Sequence, residues 1–304
     1  MAHARTTQRA SVRRWWARGG AALLLVAALA AAVPATAQQV FPTPDAAVDA
    51  LVDGLARHDD AKVRTVLGPD YRRLMPLDTF FATDRTDFLG AWSQGHRIER
   101  SGASATLVLN DGWSLPIPIV RRGEGWAFDA RAGEDEIRTR RIGRNELAAI
   151  RSAYAYFDAQ REYAEQDRDG DGVLEYARRF LSTPGTRDGL YWPTAAGEPP
   201  SPAGPLLDTR DLKDGYYGYR FRILEAQGPA ARGGARSYLS AGNLANGFAL
   251  VAWPARYGET GVMSFLINHD GVAYQKNLGA GSAATAGAMT RFDPDASWVA
   301  LPAP

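Results

Sequence analysis

The chain has 304 residues, 45% of them apolar, with eight Trp, twelve Tyr and no Cys. Stability therefore rests on packed apolar cores, and disulfides, thiol catalysis and thiolate metal sites are excluded. Lys and Arg number 35 and Asp and Glu 34; five of the Arg and none of the acids precede residue 38, so the remainder carries about −4 with no basic stripe, which argues against a nucleic-acid partner.

Residues 1–37 read as a cleavable secretory signal. Arg5, Arg9, Arg13, Arg14 and Arg18 give a basic start, Ala21 to Val33 an apolar core, and Ala35-Thr36-Ala37 the small-residue cleavage pattern. The expectation is an exported protein, periplasmic or secreted, cut after Ala37. The apolar run is short and rich in Ala, so no membrane span is expected in the mature chain, a retained anchor being the lesser alternative. No Cys follows the cleavage pattern, which removes a lipoprotein anchor.

The rest is long enough for two modest cores. Thr43-Pro44-Asp45 is a helix start, and Val48, Leu51, Val52 and Leu55 follow at helical spacing. A second helix is expected over 60–67, closed by Gly68-Pro69, and a third from about Leu77 to Trp92. Alternation then replaces the helical period at Arg97 to Glu99, Ala105 to Leu109, Trp113 to Val120 and Trp126 to Phe128. Asn110-Asp111-Gly112 and Arg122 to Gly125 supply turns. The order predicts an N-terminal α+β domain over 38–132, helices followed by an antiparallel meander, cone-like in the manner of nuclear transport factor two.

Glu134 to Arg141 predicts a short helix whose acids precede its bases on a solvated face. Gly143 punctuates it and Asn145 caps the next. Leu147, Ile150, Tyr154 and Phe157 then recur with 3, 4, 3 spacing, predicting a long helix with an apolar seam that ends near Gln166. Residues 195–205, rich in Pro, are expected as an exposed loop. Tyr217 to Ile223, Phe248 to Trp253, Val262 to Ile267 and Val272 to Tyr274 read as strands, with His269-Asp270-Gly271 as a hairpin turn. A long helix backing an antiparallel sheet is thus predicted for a C-terminal α+β domain over 133–304.

The runs Gly218 to Leu224, Gly247 to Pro254, Thr260 to Phe265, Asn268 to Gly271, Tyr274 to Lys276 and Arg291 to Asp295 resemble a bacterial family known as domain of unknown function 2950. The likeness covers nearly the whole chain after residue 37 and implies no activity. A looser likeness joins the long helix, the Gly-Tyr-Arg-Phe strand, the Ala-Trp-Pro strand and the Asp-Gly hairpin: the C-terminal half looks like the globular head of type IV pilin-like proteins. The apolar helix that seats a pilin in its filament is missing beside this head, and a separate domain stands in its place. The likeness therefore implies a soluble head that binds something.

The sharpest local motif is Asp167-Arg168-Asp169-Gly170-Asp171-Gly172, with Glu175 close by. Alternating carboxylates and a turn-permitting Gly suit an oxygen-seeking cation such as Ca²⁺, and Asp167, Asp169, Asp171 and Glu175 are the candidate metal ligands. The second half of such a loop departs from the pattern, since Arg178 stands where a bidentate acid belongs. An acidic, Gly-rich turn ending a helix explains the same residues without metal, and the sequence weighs the two equally.

Among aromatic residues, Tyr191, Trp192, Tyr216, Tyr217 and Trp253 could form a stacking surface for sugars or peptides. Strand alternation assigns Trp253 and about half of the tyrosines to the core. Tyr191 and Trp192 lie outside any periodic run and are the pair singled out for binding. No catalytic residue is singled out: the sequence contains no Gly-x-Ser-x-Gly elbow, His-Glu-x-x-His, phosphate loop or dinucleotide fingerprint. His58 reads as a helix-end residue, His269 as part of a turn, and His96, near Glu99, as a strand-edge histidine.

The composite expectation is an exported, non-catalytic binding or interaction module with a calcium-stabilised loop, meeting an envelope protein or cell-wall component. The alternative is a periplasmic hydrolase using carboxylates and His96.

Overall fold

The computed structural model describes residues 38–74, 82–168, 170–204 and 215–302. Helix α1 (Pro44–Ala56) begins as its sequence expects: the Thr43 hydroxyl accepts the Ala46 amide at 3.1 Å and Pro44 opens the first turn. Asp59 caps α2 (Asp60–Leu67) by accepting the Lys62 amide, and Gly68, at φ 96°, ends it. A single turn, α3 (Tyr71–Leu74), and α4 (Ala82–Gln94) follow. The expected start of the third helix near Leu77 lies outside the described residues.

Strands β1 (His96–Ser101), β2 (Ser104–Leu109), β3 (Ile119–Arg122) and β4 (Gly125–Phe128) form an antiparallel meander in that spatial order. Residues 113–118, expected as part of one strand with Val120, are irregular, with Ser114 alone bridging to Val108. Pro116 and Pro118 supply no amide hydrogen for a ladder. Val48, Leu51, Val66, Leu67, Leu107, Ile119 and Phe128 make the core between these helices and the sheet.

The two expected helices after residue 133 are one helix, α5 (Ala130–Tyr163), started by the Asp129 carboxylate on the Ala132 amide. Gly143 is an interior residue with open space around its Cα, at a cost of about 1 kcal/mol against Ala. Contacts on both sides carry the helix through it. Gly133 lies against Ile117, and Arg140 donates to the Ser114 carbonyl and hydroxyl at 2.7 and 2.9 Å. Beyond the glycine, Asn145 is no cap; its side-chain amide donates to the Thr260 carbonyl at 2.9 Å. Glu146 accepts the Val262 and Met263 amides at 2.9 and 3.0 Å.

The buried face of α5 also differs from the expected seam. Leu147 is 57% exposed, and Ala149, Ala153, Tyr156, Ala159, Gln160 and Tyr163 are buried instead, with Ile150, Tyr154 and Phe157 half-buried beside them. Small side chains let the helix axis sit close to the sheet, so alanines rather than the larger residues take the centre of the interface.

That sheet contains β5 (Tyr219–Leu224), β8 (Ala249–Pro254), β9 (Ser264–Asn268), β10 (Ala273–Lys276) and β11 (Val299–Ala300); between β5 and β8 the chain makes a two-stranded ribbon of β6 (Ala226–Gln227) and β7 (Arg236–Ser237), and α6 (Ser282–Gly287) precedes β11. Its order is β11-β10-β9-β8-β5, antiparallel throughout, with Phe221 opposite Ala252 and Ala252 opposite Phe265. Helix α5 crosses β8, β9 and β10 and leaves β5 as an edge strand. The architecture is α+β, with helices and several antiparallel sheets.

Candidate functional site

Three polar side chains interrupt the buried face of α5, and each takes a backbone partner. Gln160, fully buried, accepts the Ala177 amide and donates to the Ala177 carbonyl, both at 2.8 Å; it also donates to the Tyr156 hydroxyl at 2.9 Å. The Tyr156 hydroxyl donates to the Ala249 carbonyl at 3.2 Å, and the Tyr163 hydroxyl to the Arg187 carbonyl at 2.8 Å. Burial raises the Tyr156 hydroxyl far above its ordinary pKa, so it remains a neutral donor. Gln160 and Tyr163 thereby tie the 176–203 segment to the helix.

The next face of α5 carries Ala148, Ser152, Ala155 and Ala159 and borders a cavity of about 750 Å³. Phe180, Leu181 and Leu190 line it from the tied segment, Tyr216 and Tyr217 from the arm leading into β5, and Phe221 from β5 itself. Among the described residues, its charged lining consists of Arg151 and Arg220. The size and apolar character suit a drug-sized ligand.

Tyr217 has an unusual backbone. Tyr216 and Tyr219 exchange backbone hydrogen bonds at 2.8 and 3.0 Å across a two-residue turn in which Tyr217 has φ 49° and Gly218 φ 74°. This is the primed turn that favours Asn-Gly. Glycine suits position 218 because a Cβ there would lie 2.6 Å from the Asn145 amide nitrogen. Tyrosine at 217 costs about 1 kcal/mol in this left-handed region. Its side chain gains little from burial in return: Tyr217 is 58% exposed, its ring set edge-on against Tyr216 at 4.6 Å.

Residues 38–301 match the family described as protein of unknown function (DUF2950). The chain belongs to that family. No curated protein and no solved structure gives a match.

In this DUF2950 chain the sequence-derived candidates fall in other places. Tyr191 donates its amide to the Phe180 carbonyl and accepts the Ser182 amide, bracing the tied segment, while Trp192 is 7% exposed in the C-terminal core with the guanidiniums of Arg168 and Arg187 over its ring at 5.9 and 5.4 Å. Neither lines the cavity.

Asp167 follows the end of α5 and accepts the Gly170 and Gly172 amides at 2.7 and 2.8 Å. Asp171 accepts the Val173 amide at 2.8 Å and the side-chain amide of Asn243. Glu175 borders a separate polar hollow of about 290 Å³ with Arg178, Arg179, Asp188, Glu225 and Asn243. Asp169 lies outside the described residues. Among the described residues, no three His, Asp or Glu side chains gather as a metal site would require.

His96 opens β1, exposed, with its ring stacked on Trp92 at 3.2 Å, and Glu99 is paired with Arg97 at 2.6 Å. Sequence reasoning missed the alanine face of α5, Arg151, Phe180 and Leu181. The repeat of small residues at 148, 152, 155 and 159 is the signal that points to that face.

Proposed function

We propose that this chain is an exported, non-catalytic binding module of the cell envelope, with its ligand site in the cleft between α5 and the 215–221 arm. The observation that carries this is Tyr217: an aromatic side chain left exposed at an apolar cavity by a backbone that is unfavourable for it. Strain of this kind persists where the surroundings hold it in place, and it clusters at binding sites. Export rests on the basic, apolar and small-residue succession of residues 1–37. Among the described residues no helix is long and apolar enough to cross a membrane.

Two finer readings of the fold accompany this proposal. Helices followed by a four-stranded meander support a cone-like N-terminal unit, and α5 laid on an antiparallel sheet has the layering of a pilin-like head. The turn from Asp167 to Glu175 enters as a calcium-stabilised loop, supported by the alternating acids and by Gly170 and Gly172 at φ 82° and 85°.

The test of the site is binding of a neutral apolar fluorophore, N-phenyl-1-naphthylamine, to the full chain and to Ala155→Trp. Saturable binding by the parent, lost in the variant with the melting temperature kept, is the expected result. Equal binding by both would place the site elsewhere.

A further inference from the structure

Granting that the cleft is the ligand site, we infer that its ligand is an extended peptide segment that pairs with the outer edge of β5 and carries an acidic residue between two apolar ones. The backbone fixes which groups are on offer. Ala255 donates its amide to the Gly218 carbonyl at 2.9 Å, so in the β5–β8 register Arg220, Arg222 and Leu224 bond to β8, and the amides and carbonyls of Tyr219, Phe221 and Ile223 point the other way. Tyr216 closes Tyr219 at 3.0 and 2.8 Å, and the Glu225 carbonyl accepts the Tyr238 amide at 2.9 Å. Between these closures the outward groups of Phe221 and Ile223 have no hydrogen-bond partner among the described residues. Donors and acceptors repeated at strand spacing are matched by another peptide backbone.

The side chains of the ligand follow from the two faces of the sheet. A residue paired with Phe221 or Ile223 sets its side chain on their face. That is the cleft face: Phe221 lines the cavity, and so does Leu250, which lies opposite Ile223. Helix α5 lies over β8, β9 and β10, so Phe221 and Ile223 are half-buried at the margin of the cavity, where apolar partners gain most from burial. The residue between them faces the other way, opposite Arg222, whose exposed guanidinium donates to the Gly287 and Met289 carbonyls at the end of α6. An acidic residue there completes a cross-strand charge pair. The same arginine disfavours a second copy of the chain, because pairing of two such edges about this window would set Arg222 against Arg222.

The experiment is hydrogen exchange of the 219–224 amides in the full chain, with and without the capped peptide Thr-Val-Glu-Val-Thr. In the free chain the Phe221 and Ile223 amides should exchange fast, and the peptide should slow them about tenfold or more. The same peptide with both valine nitrogens methylated should give no protection, and Thr-Val-Lys-Val-Thr should bind about fivefold more weakly. Ile223→Pro removes an outward amide that the β8 ladder does not use, so it should abolish peptide protection of Phe221 and keep the binding of N-phenyl-1-naphthylamine. The methylated peptide carries the test if that variant fails to fold. Slow exchange at Phe221 and Ile223 in the free chain, protection that rises with protein concentration alone, equal protection by the methylated peptide, or no protection in a chain that still binds the fluorophore would overturn strand addition and leave the cleft standing. Equal binding of the Glu and Lys peptides would overturn the acidic assignment. A parent chain that binds neither fluorophore nor peptide would instead remove the cleft reading itself.

Discussion

The side-chain amide of Gln160 pairs with the backbone of Ala177 as a neighbouring strand would, donating to its carbonyl and accepting from its amide, each at 2.8 Å. Both residues are buried, so neither backbone group of Ala177 has water to fall back on. Gln160→Leu keeps the size and orphans both groups. The expected loss is about 2–4 kcal/mol in urea unfolding, with weaker probe binding because Phe180 and Leu181 lose their anchor to α5. A change below about 0.5 kcal/mol would show that Ala177 finds other partners.

Tyr217 offers the opposite sign. Tyr217→Asn puts a residue at ease with φ near 50° into the same turn, and the fold should gain about 0.5–1 kcal/mol while probe binding weakens several-fold. A more stable variant that binds as well as the parent would leave the strain without a functional role.

His269 predicts a pH effect. Its Nε2 accepts the Arg236 guanidinium at 2.8 Å, its Nδ1 is buried without a partner among the described residues, and its ring meets Tyr238 and Phe248 edge-on. Burial lowers its pKa below the ordinary 6.5; Arg236 lowers it further, and Asp270 opposes them. The folded state therefore prefers the neutral ring, and the unfolded chain takes up the proton first. This stability is complete above about pH 6.5 and is lost as the pH falls toward the folded-state value. Melting temperatures recorded between pH 8 and 5 should fall more steeply in the parent than in His269→Gln, and parallel curves would exclude this residue as the cause.

The Asp167–Glu175 turn can be tested without knowing a ligand. Asp167 and Asp171 bring to the turn the carboxylate oxygens that Ca²⁺ takes. Millimolar Ca²⁺ should raise the melting temperature relative to chelator, by the equivalent of about 2.7 kcal/mol at a hundredfold excess over Kd, and Asp171→Asn should reduce the shift. An identical midpoint in calcium and chelator would mean that backbone hydrogen bonds alone hold the turn.

How far the sequence discloses this structure depends on the kind of signal. Capped helices read well: Thr43-Pro44 and Asp59 act through local hydrogen bonds, and α1 and α2 lie within a residue of their expected bounds. Strands β5, β8, β9 and β10 lie within two residues of their expected bounds, read from alternation in β5 and from apolar runs in β8 and β9. Tyr217, expected in the first of them, sits in the turn before it, and the ribbon β6–β7 had no signal. Gly143 misled because a glycine marks a local cost, and it cannot report that Arg140 and Glu146 are anchored on either side. The seam misled for a related reason. Periodicity weights large residues, whereas the face against the sheet is centred on Ala149 and Ala153 and includes a glutamine whose partner lies 17 positions away. The cleft was hardest to read, being an absence of bulk on one helix face bounded by chain segments distant in sequence.

The unbroken passage of α5 through Gly143 has one more consequence. Its 34 residues span roughly 51 Å at about 1.5 Å each. One end, at Ile137, packs with the first core, and the other, from Ala153 to Tyr163, packs with the second. Melting either core would fray a rod on which the other is built, so the two lose their structure cooperatively. Calorimetry of the full chain should record a single endotherm, and a chain divided at residue 143 should yield two pieces that each fall short of the stability they share when joined.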